Sequence, residues 1–404
     1  MLNSLWLSHF TATSAIGRGL ESTYAALRQQ RGGLAPCAFE TVTDLATHIG
    51  EVAAVDAVAL PASLAEFDCR NNRLAFLGLQ QDGFSDAVEA AIARHRRRRV
   101  GVLLGTSTSG ILQTEQAYRR RDPGCLDSGG GALPDDFIYR TTHNTYSVAD
   151  FVRSAFKLEG PAMVVSTACS SSAKVFAAAA RMIAAGLIDA AVVGGVDSLC
   201  LTTLYGFNSL ELLAPEPCRP YDVDRNGLSI GEAAAFILLE RPAGSLDADA
   251  VLLLGAGESS DAHHMSSPHP EGLGAQMAMA AALKAAGLQP ADIDYINLHG
   301  TATPSNDAAE GRAVAALFGE AVPCSSTKGA TGHTLGAAGG LEAIISALAL
   351  RHGFLPGGLN THGVDPDIPI EYLTANRALA PRRVLSNSFG FGGTNCSLVL
   401  GRAG

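Results

Sequence analysis

Cys169 stands in "VVSTACSSSAKVFAAAARMIAAG" (164–186), where an apolar strand hands over to a serine-led helix. A residue just before a helix N-terminus feels free N–H groups and the positive end of the dipole, which favours a thiolate and predicts a lowered thiol pKa. The "TACSSS" backbone also offers N–H groups where an oxyanion could be held. A buried small hydrophobe is the plainer reading of a free cysteine, so a nucleophile needs partners elsewhere in the chain. His299, in "INLHGTATPSNDAAEGRA", follows an apolar strand and precedes a helix expected to open at Asn306 and Asp307. His333, in "SSTKGATGHTLGAAGG", again stands just ahead of a helix. Two histidines at loop–helix junctions, each among Gly and Thr, point to a site.

Two further residues carry alternative readings. Asp307-x-x-Glu310 has capping-box spacing, so Glu310 could simply start a helix. Lys328 is either an exposed loop lysine or a buried cation paired with Glu310, which would favour neutral histidines nearby. In "NSFGFGGTNCSLVL" (387–400), glycines interleaved with Phe389 and Phe391 predict a loop that approaches a ligand closely and swings an aromatic ring. The alternative there is a tight turn with two core phenylalanines.

The elements that must position these residues alternate along the chain. Apolar runs at 100–107, 162–168, 190–196, 234–240, 251–257, 293–300 and 396–402 are separated by Ala-rich helical stretches. Such runs predict sheets covered on both faces. One helix is expected from about Ser170 to Ala185 with Gly186 as its stop, another from Leu335 to His352 ending at Gly353. A chain of 404 residues exceeds one ordinary core. "ERPAGSLDADA" (240–250) reads as the seam, giving halves 1–245, with the cysteine, and 246–404, with the histidines.

Composition narrows the function classes. A net charge of −10 argues against general nucleic-acid affinity. No uncharged apolar stretch is long enough for a membrane span, and the N-terminus lacks the features of a signal peptide. Cysteines at 37, 69, 125, 169, 200, 218, 324 and 396 lack paired ligand spacing, so reduced cytoplasmic thiols and no metal site are expected. The basic runs "RHRRRR" (94–99) and "YRRR" (118–121) read first as solvated helix ends.

Four ordered fragments, "STACSSS", "HGTATPSND", "KGATGHTLGAAG" and "NSFGFGGTN", resemble the signatures of elongating β-ketoacyl-acyl-carrier-protein synthases of the thiolase superfamily. "CRPYDVDRNGLSIGEAAAFILLE" (218–240) is similar to the same family, and the resemblance runs from about residue 100 to the end. It implies an α/β thiolase-like fold of two pseudo-equivalent αβαβα halves in a five-layered core. The implied reaction is decarboxylative condensation of a Cys169-bound acyl chain with malonyl-acyl-carrier protein, in fatty-acid or related polyketide or aryl-polyene elongation. His299 and His333 would bind the malonyl thioester carbonyl, with Lys328 and Glu310 as the supporting pair behind them. Thr301 and Thr303 match positions that bind the pantetheine arm, which arrives on the carrier protein, so no separate cofactor is implied. Phe391 matches the gate and, with Cys169, the oxyanion hole; Thr108 and Phe389 match the acyl pocket. Arg70 and Arg73, in "CRNNR", and Arg119, Arg120 and Arg121 fall where the acidic carrier protein would dock. A homodimer is implied, a heterodimer with a related synthase being the variant. The front end, "LWLSHFTATSAIGRG", keeps only the strand character of the family's opening. The competing reading is a non-catalytic, pocket-shaping partner subunit like a chain-length factor.

Overall fold

Strand Ala233–Glu240 shows how the sheet is covered. Its Ala233, Ala235, Ile237 and Leu239 enter one core, while Ala234, Phe236 and Leu238 enter another. The period of two puts successive side chains on opposite faces, so a strand apolar throughout must be roofed on both. The computed structural model describes residues 4–40, 42, 44–121 and 132–404.

A sheet of 12 described strands forms the frame, and its order repeats. From the middle outwards, residues 5–240 supply Leu5–Ser14, Ala233–Glu240, Ala190–Asp197, Val100–Gly105 and Ala162–Val165. Residues 251–402 supply Val251–Ser260, Thr394–Arg402, Arg383–Gly390, Tyr295–Asn297 and Pro323–Ser325, then the short Glu371–Tyr372. Each set begins with two antiparallel pairings and continues with two parallel ones, and Glu371–Tyr372 adds a third parallel pairing to the second set. The sets join where Leu5 pairs Leu253 and Trp6 pairs Leu252. The front strand Leu5–Ser14 is thus the seam partner of the second set.

Helices complete five layers. Arg70–Leu79, Phe84–His95 and Ser147–Ala155 cover the first set from outside, and Leu273–Ala286 with Pro304–Phe318 covers the second. Between the sets lie Ser171–Ala184, which Cys169 precedes, and Ala338–His352, which follows His333. The latter is buried from Ala338 through Leu350, as a helix apolar on all sides must be. Gly186 and Gly353 close the two helices with φ of 70° and 67°, as expected from sequence.

At 387–400 the chain takes the tight turn of the second reading, and the start of the helix after His299 changes. The run 387–400 is a hairpin: strand Arg383–Gly390, a tight turn Phe391–Gly393, and strand Thr394–Arg402. The loop shrinks because these residues alternate buried apolar side chains on two faces, leaving only the turn for Gly392 and Gly393 at positive φ. The helix after His299 begins at Pro304 with Thr303 before it, not at Asn306, because proline's fixed φ suits the first helical position.

The central helices approach closely at Gly339, where a Cβ would stand 2.7 Å from the Ala173 backbone nitrogen. Gly339→Ala is therefore expected to lower unfolding stability in urea by about 1–3 kcal/mol through overpacking. Unchanged stability would contradict this close contact.

Candidate active site

The sulfur and the two imidazoles converge. Each of Cys169, His299 and His333 offers one atom to a cluster whose members all lie within 4.8 Å of one another. All three residues are buried, and the imidazole centroids lie 5.3 Å apart with the rings nearly perpendicular. Different elements deliver them. Cys169 sits at the turn from strand Ala162–Val165 into helix Ser171–Ala184, after Ala168 at φ 51°. A positive φ at a non-glycine residue is strained backbone, held only where its surroundings over-determine it. His299 ends the segment after strand Tyr295–Asn297. The His333 backbone is held at Ser229 and Gly231, its N–H donating to Ser229 O at 2.7 Å and its carbonyl accepting Gly231 N–H at 2.9 Å.

Hydrogen-bond partners fix the imidazole tautomers. Leu335 N–H donates to His333 Nδ1 at 3.3 Å, so the ring proton is on Nε2, which donates to Cys169 Sγ at 2.9 Å. The Lys328 ammonium lies 3.4 Å from His299 Nδ1 and donates to it, again leaving the proton on Nε2. Burial first, then the Lys328 charge, holds both imidazole pKa values well below the usual range. The site therefore presents two neutral N–H donors.

Cys, His, His is also a metal-ligand composition, but these partners do not suit a metal ion. A ligating imidazole gives the N–H of its other nitrogen to an acceptor. Here both outer nitrogens face donors.

Burial pushes the Cys169 thiol up to about 12, against the Lys328 charge and the Phe391 N–H, which pull it down. Burial thus acts against the lowered thiol pKa expected of a residue before a helix N-terminus.

Lys328 is a buried cation, as one sequence reading had it, but its partner is Glu342. Its ammonium also donates to the His299 carbonyl. Burial raises the Glu342 carboxyl to about 7 even beside that ammonium. Glu310 is instead a clasp: its oxygens accept His299 N–H and Gly300 N–H, each at 2.8 Å, and the Tyr221 hydroxyl and Asn387 amide at 3.1 Å. Neither a capping box nor a pair with Lys328 forms. Glu342 went unread, although a lone acid inside "GGLEAIISALAL" signals a buried partner.

A cavity opens onto the trio, lined by Thr301, Thr303, Phe389, Phe391, Phe207 and Leu228 among others. Thr301 and Thr303 share a hydrogen bond of 2.9 Å. The Phe391 ring lies 5.6 Å from Phe207, and Phe389 lies 5.9 Å from His299. Thr108 is not among the lining residues; its hydroxyl donates to Asp197 at 2.9 Å. Arg70 cannot dock a partner, because it is buried and paired with Glu232, Glu51 and Asp56. Arg73 is bound to Asp68. Arg119, Arg120 and Arg121 are exposed, with Arg120 paired to Asp136 and Arg121 over Tyr118. The run 94–99 is a surface of ion pairs to Glu240, Glu89, Glu159 and Asp189. The seven described cysteines are free; Cys125 lies outside the described residues. Among the described residues, no helix is long and apolar enough to cross a membrane.

Residues 12–243 match the family description "Beta-ketoacyl synthase, N-terminal domain", and residues 250–362 match its C-terminal domain. The chain is 41% identical over 266 residues to the mitochondrial 3-oxoacyl-[acyl-carrier-protein] synthase of Arabidopsis thaliana, a match spanning 61% of this chain and 58% of that relative. It is 33% identical over 406 residues to 3-oxoacyl-[acyl-carrier-protein] synthase 2 of Synechocystis sp., covering 96% of this chain and 95% of the relative. Among solved structures, a chain of the ketosynthase–chain length factor complex of Xenorhabdus doucetiae superposes with a TM-score of 0.89 at 39% identity, covering 99% of this chain and 98% of that one.

Lys328→Met removes a charge that depresses the His299 pKa, so the ring should protonate at a higher pH than in the parent chain, read by NMR titration. Lys328→Met/Glu342→Leu should regain the stability lost with the broken pair while keeping the raised His299 pKa. A His299 titration unmoved in both variants would contradict the assigned contact.

Proposed function

The chain belongs to the β-ketoacyl synthase family, and on that footing we propose that it joins an acyl chain held on Cys169 to a malonyl unit on an acyl carrier protein, releasing carbon dioxide. The enzyme is a condensing acyltransferase with a thiolase-like fold. One observation carries the assignment of residues: the Cys169 sulfur and two donor imidazoles lie within 4.8 Å of one another in a buried cavity.

In the first half-reaction the Cys169 sulfur attacks the thioester carbonyl of the carrier-bound acyl group. The bond to the pantetheine sulfur breaks, and the cysteine proton ends on the departing thiol. Charge on the attacking sulfur is met by the His333 N–H, the Phe391 N–H and Lys328. In the second, the malonyl thioester carbonyl accepts N–H bonds from His299 and His333. Loss of carbon dioxide leaves an electron pair on the α-carbon, delocalised onto that oxygen. Preorganised donors in a dry site are worth about 3 kcal/mol each. The α-carbon then attacks the Cys169 thioester, and the new oxyanion is held by the N–H groups of Cys169 and Phe391. The carbon–sulfur bond breaks, and the Cys169 thiolate takes up a proton from water, replacing the one that left on the first carrier's thiol.

Thr301 and Thr303, at the cavity wall, are read as holding the pantetheine arm, and Phe389 as lining the acyl path. The arm belongs to the carrier-bound substrate, and no resident cofactor enters the scheme. The carrier docks, on this reading, at Arg119 to Arg121. Strand Ala162–Val165 ends the sheet with partly buried apolar residues, an edge suited to pairing with a second chain of this fold, whether a copy or a related subunit. Halves divided near residue 245 agree with the repeated strand order. A reduced, cytoplasmic setting is favoured by the free described cysteines. The intact trio weighs against a non-catalytic partner subunit.

Incubation with an acyl-carrier protein should add one acyl mass to the intact chain, located on Cys169 and absent in Cys169→Ala. Acylation of folded Cys169→Ala at the parent rate would refute the assignment.

A further inference from the structure

Asp197, at the end of strand Ala190–Asp197, is wholly buried, and the reaction scheme gives it no task. It accepts the Thr106 hydroxyl at 2.7 Å, the Ser107 N–H at 2.8 Å, and the Thr108 N–H and hydroxyl at 2.9 Å. The Ser107 hydroxyl also donates to it. One more donor comes from the other half of the chain: Gly336 N–H, at 2.6 Å. All these partners are uncharged N–H and O–H groups, so the carboxylate acts as a hub for backbone and hydroxyl donors.

Gly336 is the middle residue of the turn Leu335–Ala337, immediately beyond the His333 loop. That turn holds Leu335 at φ 50°, a left-handed conformation costly for a branched residue. Such strain persists only where surrounding contacts over-determine it. The Leu335 N–H is the group that donates to His333 Nδ1. The chain of contacts therefore runs from Asp197 through Gly336 to Leu335 and the ring. Space is equally restrictive: a Cβ on Gly336 would stand 2.7 Å from Asp197 Oδ2.

We infer that Asp197 is a positioning residue, fixing the strained turn that presents Leu335 N–H to His333 and so keeping that ring in its Nε2–H form. The inference rests on the condensing reaction for its kinetic consequence, but the tautomer can be read without turnover. Asp197→Asn is nearly isosteric and places an NH2 group among donors, so one contact must open.

The test uses the full chain labelled with 15N-histidine, comparing the parent, Asp197→Asn and Gly336→Ala by two-bond 1H–15N correlation. The parent should show His333 protonated at Nε2, and both variants should show a mixture with the Nδ1–H form. The condensation kcat should fall about 10- to 100-fold, as for outer residues that orient a ligating ring, with KM for the malonyl carrier within about twofold. Should Asp197→Asn fail to fold, Gly336→Ala disturbs the same contact from the other side and decides alone. A folded variant with the parent His333 signature overturns the inference, even if kcat falls. A parent chain without condensing activity would sink the proposed function while leaving the tautomer result to stand.

Discussion

On the proposed mechanism, reactivity depends on which nitrogen of each buried imidazole holds the proton. A neutral ring with its proton on Nε2 is a donor toward the cavity; the other tautomer is an acceptor there and would repel a developing oxyanion. The fold settles the matter from behind, with an ammonium at His299 and a backbone N–H at His333. Burying that ammonium is costly unless it is paired, which explains why an acid occurs inside the otherwise apolar helix Ala338–His352. The same desolvation that keeps the imidazoles neutral also keeps the resting thiol protonated.

The architecture serves that arrangement by crossing two halves at the centre. Each set of strands ends in a turn toward the buried helical layer, one delivering the cysteine and the other the histidines. Neither set holds the whole trio, so on the proposed mechanism the central contacts carry function as well as stability. Close helix approach at Gly339 and the Asp197 hub both span that junction.

Much of this was legible in sequence because it is local. Continuous apolar runs, glycine stops and the motifs around Cys169, His299 and His333 mark strands, helix ends and the residues that converge at the cavity. What failed involved distance or solvent. Nothing in the spacing of Lys328 distinguishes Glu310 from Glu342; the choice depends on how helix Ala338–His352 packs under the His299 segment. Arg70 looks like a docking cation until its helix is seen to turn it inward onto Glu232. At Cys169 a helix N-terminus can be recognised from residues, whereas the depth of burial that opposes its effect on the thiol cannot.

The most direct measurement is a single turnover of acyl-Cys169 enzyme with malonyl-carrier protein labelled in its free carboxyl, counting labelled carbon dioxide and ketoacyl product together. The account predicts one carbon dioxide per new carbon–carbon bond, and loss of both in His299→Ala although acyl-Cys169 still forms. Undiminished carbon dioxide release and bond formation in acylated His299→Ala would contradict it.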